Sequence, residues 1–210
     1  MDGYNTSSLT LNNKLFERVG SGFHDAPQIS FYNNLYRYGS IFSRNGGTNN
    51  WLFYDNAFDT TILTDYINPV TAGYNAYINM GTNRFYPTDA NDQVLTSFTY
   101  ATNTLGIYYQ SSTNLLNMGS RTADLAGLYH YTTQASQAKE TNSVVEIGFH
   151  YVAVDGSGNP LDYDGDAMPD YFEDRNGNGS VDSGETDWRS ATDLGLKVWI
   201  TEPKNNSNIP

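Results

Sequence analysis

The sequence predicts an all-β chain: a parallel β-solenoid, then two abutting acidic loops, then a single C-terminal strand. Three observations predict it. Leu11-Asn12-Asn13-Lys14-Leu15-Phe16, Phe31-Tyr32-Asn33-Asn34-Leu35-Tyr36 and Phe53-Tyr54-Asp55-Asn56-Ala57-Phe58 align with steps of 20 and 22 residues. Asp162 to Glu185 repeats one pattern of oxygen-bearing side chains twice, end to end. Leu194 to Thr201 alternates, with Leu196, Val198 and Ile200 on one face.

Each copy of the N-terminal repeat sets apolar residues around an Asn/Asp pair. Strands are expected beside it at Leu9 to Leu11, Ile29 to Phe31 and Trp51 to Phe53. A period near twenty with two or three short strands per unit is that of a coil whose rungs stack and hydrogen-bond to one another. Asn at one place per rung fits a stacked ladder at a corner, where its side chain satisfies turn backbone and its own backbone tolerates left-handed geometry. Phe16, Tyr36 and Phe58 are then stacked interior aromatics. The alternative is a β-sandwich with accidental spacing, in which these rings need not lie in register.

From Pro69 to about Asn117 the period blurs. Gly73 to Tyr77 reads as a further rung, Pro87 to Asp92 as a loop and Val94 to Tyr100 as a strand. Leu115 to Tyr151 reads as closing rungs. Within it Ser143 to Val154 is the strongest strand signal, Val144, Glu146, Gly148 and His150 alternating against Val145, Ile147, Phe149 and Tyr151. The expected organisation is a β-helix over 1–151, a loop module over 152–193, and a strand and tail over 194–210, either a donor strand or the start of a next domain.

The loop module carries the chemistry. Asp162, Asp164, Asp166, Asp170 and Glu173 occupy positions one, three, five, nine and twelve of the first loop, and Met168 offers its carbonyl at seven. Asp174, Asn176, Asn178, Asp182 and Glu185 repeat this in the second, with Ser180 at seven. Calcium takes six to eight hard oxygens at about 2.3–2.6 Å, with a bidentate carboxylate at twelve. Two EF-hand-like Ca2+ sites are expected. Gly179 stands at the sixth position of the second loop; Ala167 in the first is a departure expected to weaken that site or shift its geometry. An acidic solvated linker is the alternative, but a linker needs charge without needing two complete ligand registers. Eleven acidic against two basic residues between Asp155 and Asp193 hold −9 of the net −12, so without cations this region repels itself.

Composition narrows the classes. Only 16% of residues are charged, while Tyr and Gly abound at 17 and 19 residues, as in a turn-rich β protein. The absence of cysteine excludes disulfides and thiol chemistry. A net charge of −12 argues against nucleic acid and anionic membranes as partners, and no run is apolar enough to insert in a bilayer. Structural calcium sites point outside the cell, to secretion or the cell surface; an export signal is then expected upstream or already removed.

The segments Leu115-Leu116-Asn117-Met118-Gly119-Ser120 and Glu146-Ile147-Gly148-Phe149-His150-Tyr151 resemble the closing rungs of bacterial right-handed parallel β-helix proteins, with Asn117 and Glu146 where Asp is usual. With Asn12-Asn13, Leu128-Tyr129-His130-Tyr131, the Asp162 loops and Thr186-Asp187-Trp188, the chain is similar to segments of very large secreted bacterial surface proteins. Those resemble pectate-lyase-like helices followed by thrombospondin-type-3-like or dockerin-like calcium loops. The resemblance implies a right-handed β-helix more directly than it implies an activity.

No catalytic residues are assigned. A calcium-assisted lyase needs a Lys or Arg base, and Lys14, Arg18, Arg37, Arg44 and Arg84 match no carboxylate cluster. A glycosidase needs paired carboxylates; Asp55 and Asp59 could share a surface, but Asp in turns is commoner. His24, His130 and His150 read as packed or hydrogen-bonded rather than catalytic or ligating, and no cofactor motif besides calcium is present. The function expected is an extracellular calcium-stabilised structural protein of a bacterial surface or matrix. It assembles as a homo-oligomer or filament, or serves as a section of an adhesin-like stalk. A polysaccharide lyase, a glycoside hydrolase and a non-catalytic carbohydrate-binding module with glycan contacts are the alternatives.

Overall fold

The computed structural model describes residues 2–4, 8–24, 27–44, 50–65, 70–86 and 88–195. Its first half is a parallel β-solenoid of about four turns. β1 (Asp2–Tyr4) precedes a coil of β2 (Leu9–Asn12), β3 (Leu15–Glu17) and β4 (Gly20–His24). The second coil is β5 (Gln28–Tyr32), β6 (Leu35–Arg37) and β7 (Ser40–Arg44); the third is β8 (Asn50–Tyr54), β9 (Ala57–Asp59) and β10 (Ile62–Asp65). β11 (Thr71–Gly73) and β12 (Ala76–Ile78) make the fourth, and β13 (Gln93–Leu95) ends the ladder. The sheets run β1-β4-β7-β10, β11-β8-β5-β2 and β13-β12-β9-β6-β3, all parallel. Leu11 pairs with Phe31 and Phe31 with Phe53, the steps of 20 and 22 read from sequence, so the sandwich alternative falls. Gly73 to Tyr77 is indeed a further rung, Tyr77 pairing with Phe58.

Two corners of each coil are tight, and each turns on one left-handed residue. At the first, Asn13, Asn33, Asp55 and Tyr74 have φ of 54, 53, 61 and 55°; at the second, Arg18, Tyr38, Thr60 and Asn79 have φ of 57, 53, 51 and 52°. Asn and Asp tolerate this region better than other side chains, which is why they recur at the first corner. Equivalent residues stand five apart across both corners: Leu11, Phe16, Ser21; Phe31, Tyr36, Ile41; Phe53, Phe58, Leu63. The unequal coil lengths therefore arise at the third corner alone.

The second Asn of each pair forms the ladder. Asn34, Asn56 and Asn75 are fully buried. Asn56 Oδ1 accepts from the Asn34 backbone N–H at 3.1 Å and from Asn34 Nδ2 at 2.9 Å; Asn75 Oδ1 does the same for Asn56 at 3.0 and 3.1 Å. The amides in turn donate to backbone carbonyls, Asn56 to Phe31 and Tyr54 and Asn75 to Phe53. Buried corner backbone that no sheet can reach is thereby paired.

Inside, the aromatics stack in register. Phe16, Tyr36, Phe58 and Tyr77 form one column with centroid spacings of 4.3, 6.1 and 5.6 Å. Phe31 and Phe53 form another at 4.8 Å, capped by Phe85 at 4.4 Å from Phe53. Phe53 is 0% exposed. Phe53→Ala should therefore cost about 3–5 kcal/mol, read as a shifted midpoint in urea denaturation.

After β13 the chain stops coiling. β14 (Tyr100–Asn103) and β15 (Gly106–Gln110) form an antiparallel hairpin, followed by the short helix α1 (Ala123–Ala126) and the antiparallel pair β16 (Tyr131–Thr132) and β17 (Tyr151–Val152). α2 (Asp170–Glu173) is the last element. This segment lies along the third sheet, where Leu35, Ala57, Ala76 and Ile78 pack against Tyr109, Leu115, Ile147 and Tyr151. Leu115 to Tyr151 thus adds no coil. The strand expected over Val94 to Tyr100 is interrupted after Leu95. The long strand expected over Ser143 to Val154 shrinks to Tyr151–Val152. Its alternation is not an in-and-out pattern, since Val145, Glu146 and Ile147 are all buried.

What holds that segment is the first corner. Asn13 Nδ2 donates to the His150 carbonyl at 3.0 Å, and the His150 N–H donates to Asn13 Oδ1 at 2.7 Å. Asn33 Nδ2 donates to the Glu146 carbonyl at 3.1 Å, and the Gly148 N–H to the Asp55 carbonyl at 2.8 Å. Corner side chains and scattered backbone bonds, among them Val145 N–H to the Arg121 carbonyl and Ile147 N–H to the Leu115 carbonyl, stand in place of a regular ladder. Beyond Gly195, the expected strand Leu194 to Thr201 lies outside the described residues.

Candidate metal centre

The two loops follow one register. Their fourth and sixth residues are left-handed in both: Gly165 and Ala167 at φ 76 and 72°, Gly177 and Gly179 at 68 and 76°. Ala167 therefore does not shift the geometry; it adopts it, at a cost of about 1–2 kcal/mol for a residue with a Cβ. At position one, Asp162 Oδ2 accepts the Ala167 N–H at 2.9 Å, and Asp174 Oδ2 accepts the Gly179 N–H. At position three, Asp164 and Asn176 accept from residue five at 3.1 and 3.0 Å. At position five, Asp166 and Asn178 each accept from residue seven, Met168 and Ser180, at 2.7 Å.

The first loop closes on an unneutralised acidic pocket. Carboxylate oxygens of Asp162, Asp164 and Asp166 lie within 4.8 Å of one another. The exposed loop hands over to α2, which carries positions nine and twelve inward. Glu173 is 1% exposed, yet neither of its carboxyl oxygens has a hydrogen-bond partner, and Asp164 Oδ2 is buried and unpartnered as well. Burial pushes the Glu173 carboxyl up to about 7, and Asp164, Asp166 and Asp170 add to the rise; Thr186 opposes it, though its hydroxyl makes no bond of hydrogen-bond geometry to either oxygen. A buried carboxylate costs several kcal/mol unless a cation or donors compensate it. These residues fit a hard divalent ion.

The second loop is self-neutralised. Asn176 and Asn178 Nδ2 donate to Asp182 Oδ2 at 2.7 and 2.8 Å. Glu185 accepts the N–H groups of Asn176 and Asp182 at 3.1 and 3.0 Å. An ion there requires both amides to turn their oxygens inward.

Asp170, the ninth residue of the first loop, is committed elsewhere. Its Oδ1 accepts the Tyr163 N–H at 2.7 Å, and its Oδ2 meets Lys139 Nζ at 3.2 Å and His130 Nδ1 at 3.6 Å. His130 Nε2 lies 2.9 Å from Asp174 Oδ2. One buried imidazole thus joins the ninth position of the first loop to the first position of the second. Burial opposes its protonation, but Asp170 and Asp174 raise its pKa. Trp188 covers it edge-on at 5.0 Å, and Lys139 Nζ sits 5.0 Å over the same indole. The backbone docks too: Tyr129 N–H donates to the Gly177 carbonyl at 2.9 Å, and a Cβ on Gly177 would lie 2.3 Å from the Gly127 carbonyl oxygen. The loops are held against the segment beside the solenoid.

Sequence reading missed the clamp of His130, Lys139 and Trp188. The aromatic flanks of His130 signalled burial, but its partner Asp174 stands 44 residues away. Of the other residues weighed, His24 rests against Phe42 at 5.1 Å. Asp55 accepts from the Ser120 N–H at 2.6 Å and hydroxyl at 2.8 Å, while Asp59 ion-pairs with Arg37 at 2.9 Å. Asp55 and Asp59 are both buried and differently partnered, so they do not face one another as an open catalytic pair. No protein-family model, curated protein or solved structure matches the chain.

Proposed function

We propose that the chain is an extracellular structural module of a bacterial surface or matrix, a right-handed β-helix stiffened by two calcium ions. The buried Glu173 carboxylate carries this reading, because both its oxygens are unpartnered and the charges of Asp164, Asp166 and Asp170 act on it. Asp162, Asp164, Asp166, Glu173 and the Met168 carbonyl hold the first ion, with Asp170 oriented by His130. Asp174, Asn176, Asn178, Asp182, Glu185 and the Ser180 carbonyl hold the second, more weakly because two amides must rotate. Ions held there cancel acidic repulsion and keep the loops docked through Asp174 and His130.

Assembly is motivated by two sheet edges. Among the described residues β2 and β3 are the last strands of their sheets, and Leu9, Leu11 and Phe16 are half-buried where Ile29, Phe31 and Tyr36 one coil further in are buried. An unpaired edge is a template for another strand, and the apolar Leu194 to Thr201 of a second copy is the proposed occupant. Repetition of that contact gives an open filament or stalk.

Electron microscopy and calcium titration test both parts. The expected result is two bound calcium ions, with the tighter site lost in Glu173→Gln, and end-to-end chains that shorten on chelation. Discrete monomers at every calcium concentration would remove the assembly part; no calcium binding would remove the whole reading. Turnover of uronate polymers would replace it with the lyase alternative.

A further inference from the structure

A second cluster lies away from the calcium loops, where the lateral segment meets the first corner of the solenoid. Glu140, Glu146 and His150 are 4, 3 and 1% exposed, and one ligand atom of each lies within 4.8 Å of the others. His150 Nδ1 is 2.9 Å from the Gly148 carbonyl, a contact that requires the proton on Nδ1 and leaves Nε2 as the free lone pair. Nε2 faces Glu140 Oε1 at 3.3 Å and Glu146 Oε2 at 3.6 Å. Neither contact has hydrogen-bond geometry: His150 Nε2 and Glu146 Oε2 are both buried without a hydrogen-bond partner.

We propose that Glu140, Glu146 and His150 form a buried zinc site that fixes the fold of the 140–150 segment where it meets the solenoid. Zinc bonds imidazole nitrogen at about 2.0–2.1 Å and carboxylate oxygen at about 2.0–2.2 Å, so the edges of its tetrahedron are about 3.4 Å long. The separations of 3.3 and 3.6 Å from Nε2 are such edges. A backbone carbonyl on the far ring nitrogen is the usual support for a ligating histidine, since it fixes tautomer and ring plane. Ser143 Oγ donates to the Glu140 carbonyl at 2.6 Å and lies 3.1 Å from Glu140 Oε2, which places that carboxylate with Oε1 left for the ion. A second oxygen of Glu146 or a water completes the shell.

Charge argues the same way. Among the described residues no Lys or Arg ion-pairs with either glutamate, so a bound cation or protons must offset them; burial and the neighbouring Glu140 raise Glu146 to about 7. Calcium does not suit the site, because it takes oxygen ligands at longer distances and in greater number. The competing occupant is a proton: burial opposes it, but Glu140 and Glu146 raise His150 to about 9. An imidazolium would close a hydrogen bond to one carboxylate, and at 3.3 and 3.6 Å neither contact makes one. The ion would fix residues whose backbones are already held by Asn13 and Asn33. It would thus brace, within the lateral segment, the stretch that those two asparagines tie to the coils.

The test uses the whole chain, stripped of metal and returned to millimolar calcium so that the acidic loops are filled. With one equivalent of zinc added, one zinc per chain should remain after gel filtration. Cobalt(II) in its place should give the intense visible bands of a four-coordinate nitrogen and oxygen site. Glu146→Gln preserves shape and should weaken zinc by a hundredfold or more, beyond the roughly 10–100-fold that changes around a ligand cost. It should leave calcium stoichiometry unchanged, whereas His130→Gln should leave zinc unchanged. Absence of zinc from the folded wild type, octahedral cobalt spectra, or zinc lost with His130→Gln instead would each overturn the site. If Glu146→Gln does not fold, the wild-type cobalt spectrum decides. Calcium is counted separately, so failure here is distinct from failure of the calcium reading.

Discussion

Replacing Asn56 with leucine is expected to cost about 4–6 kcal/mol, because it strands two or three buried backbone and amide groups at about 1–3 kcal/mol each. Leucine is nearly the right size, so the loss is polar rather than steric. Asn56 Oδ1 is the acceptor for the buried Asn34 N–H, and Asn56 Nδ2 serves the Phe31 and Tyr54 carbonyls. Water cannot replace these partners at a corner that is 0% exposed. The loss approaches the whole margin of an ordinary domain. Asn79→Gly, at an exposed corner position with φ of 52°, is the control and should change stability by less than about 0.5 kcal/mol. Thermal unfolding followed by circular dichroism compares the two. Equal effects would mean that the ladder contributes no more than any corner residue.

That contrast shows what was legible in the sequence. Recurrence of the Asn pair and its flanking aromatics at steps near twenty was enough to give a coil, since stacking identical corners is what makes such a period useful. The same recurrence did not divide the labour within each pair. The first member takes the left-handed backbone and reaches outward to the lateral segment; the second stays inside and builds the ladder. Both jobs favour Asn, so composition alone is silent on which is which.

The lateral segment was misread for a related reason. Val144 to Tyr151 alternates apolar with other residues and looks like a strand, but its backbone bonds are scattered over Leu115, Gly119, Arg121, Asp55 and the Asn13 and Asn33 side chains rather than laddered to one neighbouring strand. No periodicity rule registers a bond between residue 13 and residue 150. The acidic loops behaved oppositely. Their bonds span two to nine residues, so one side-chain spacing repeats one hydrogen-bond pattern in both loops, whereas the left-handed backbone at Ala167, read from sequence as a departure, was not legible. What spacing could not show was the commitment of Asp170 and Asp174 to His130, a contact that crosses from one segment to another.

The effect of one substitution on stability should reverse sign between calcium and chelator. In wild-type chain, calcium at about a hundred times its dissociation constant adds about 2.7 kcal/mol per site, so two sites add about 5 kcal/mol. At about 2–4 °C per kcal/mol for a chain of this size, chelation should lower the melting temperature by about 10–20 °C. Glu173→Gln removes the carboxylate expected to close the first site at position twelve, so with calcium present it should melt below wild type. With chelator present it should melt above wild type, because the wild type then buries a carboxylate whose oxygens have no partner, while the glutamine buries a neutral group of the same shape. Glu173 sits in a pocket shared with Asp164, Asp166 and Asp170, whose repulsion the substitution relieves only when no ion does so. Melting curves of both proteins in calcium and in chelator give four values. A crossing identifies Glu173 as a residue kept for a cation at the expense of the ion-free fold. Parallel shifts, with the variant below wild type in both solutions, would mean that Glu173 is a packing residue and that calcium acts elsewhere.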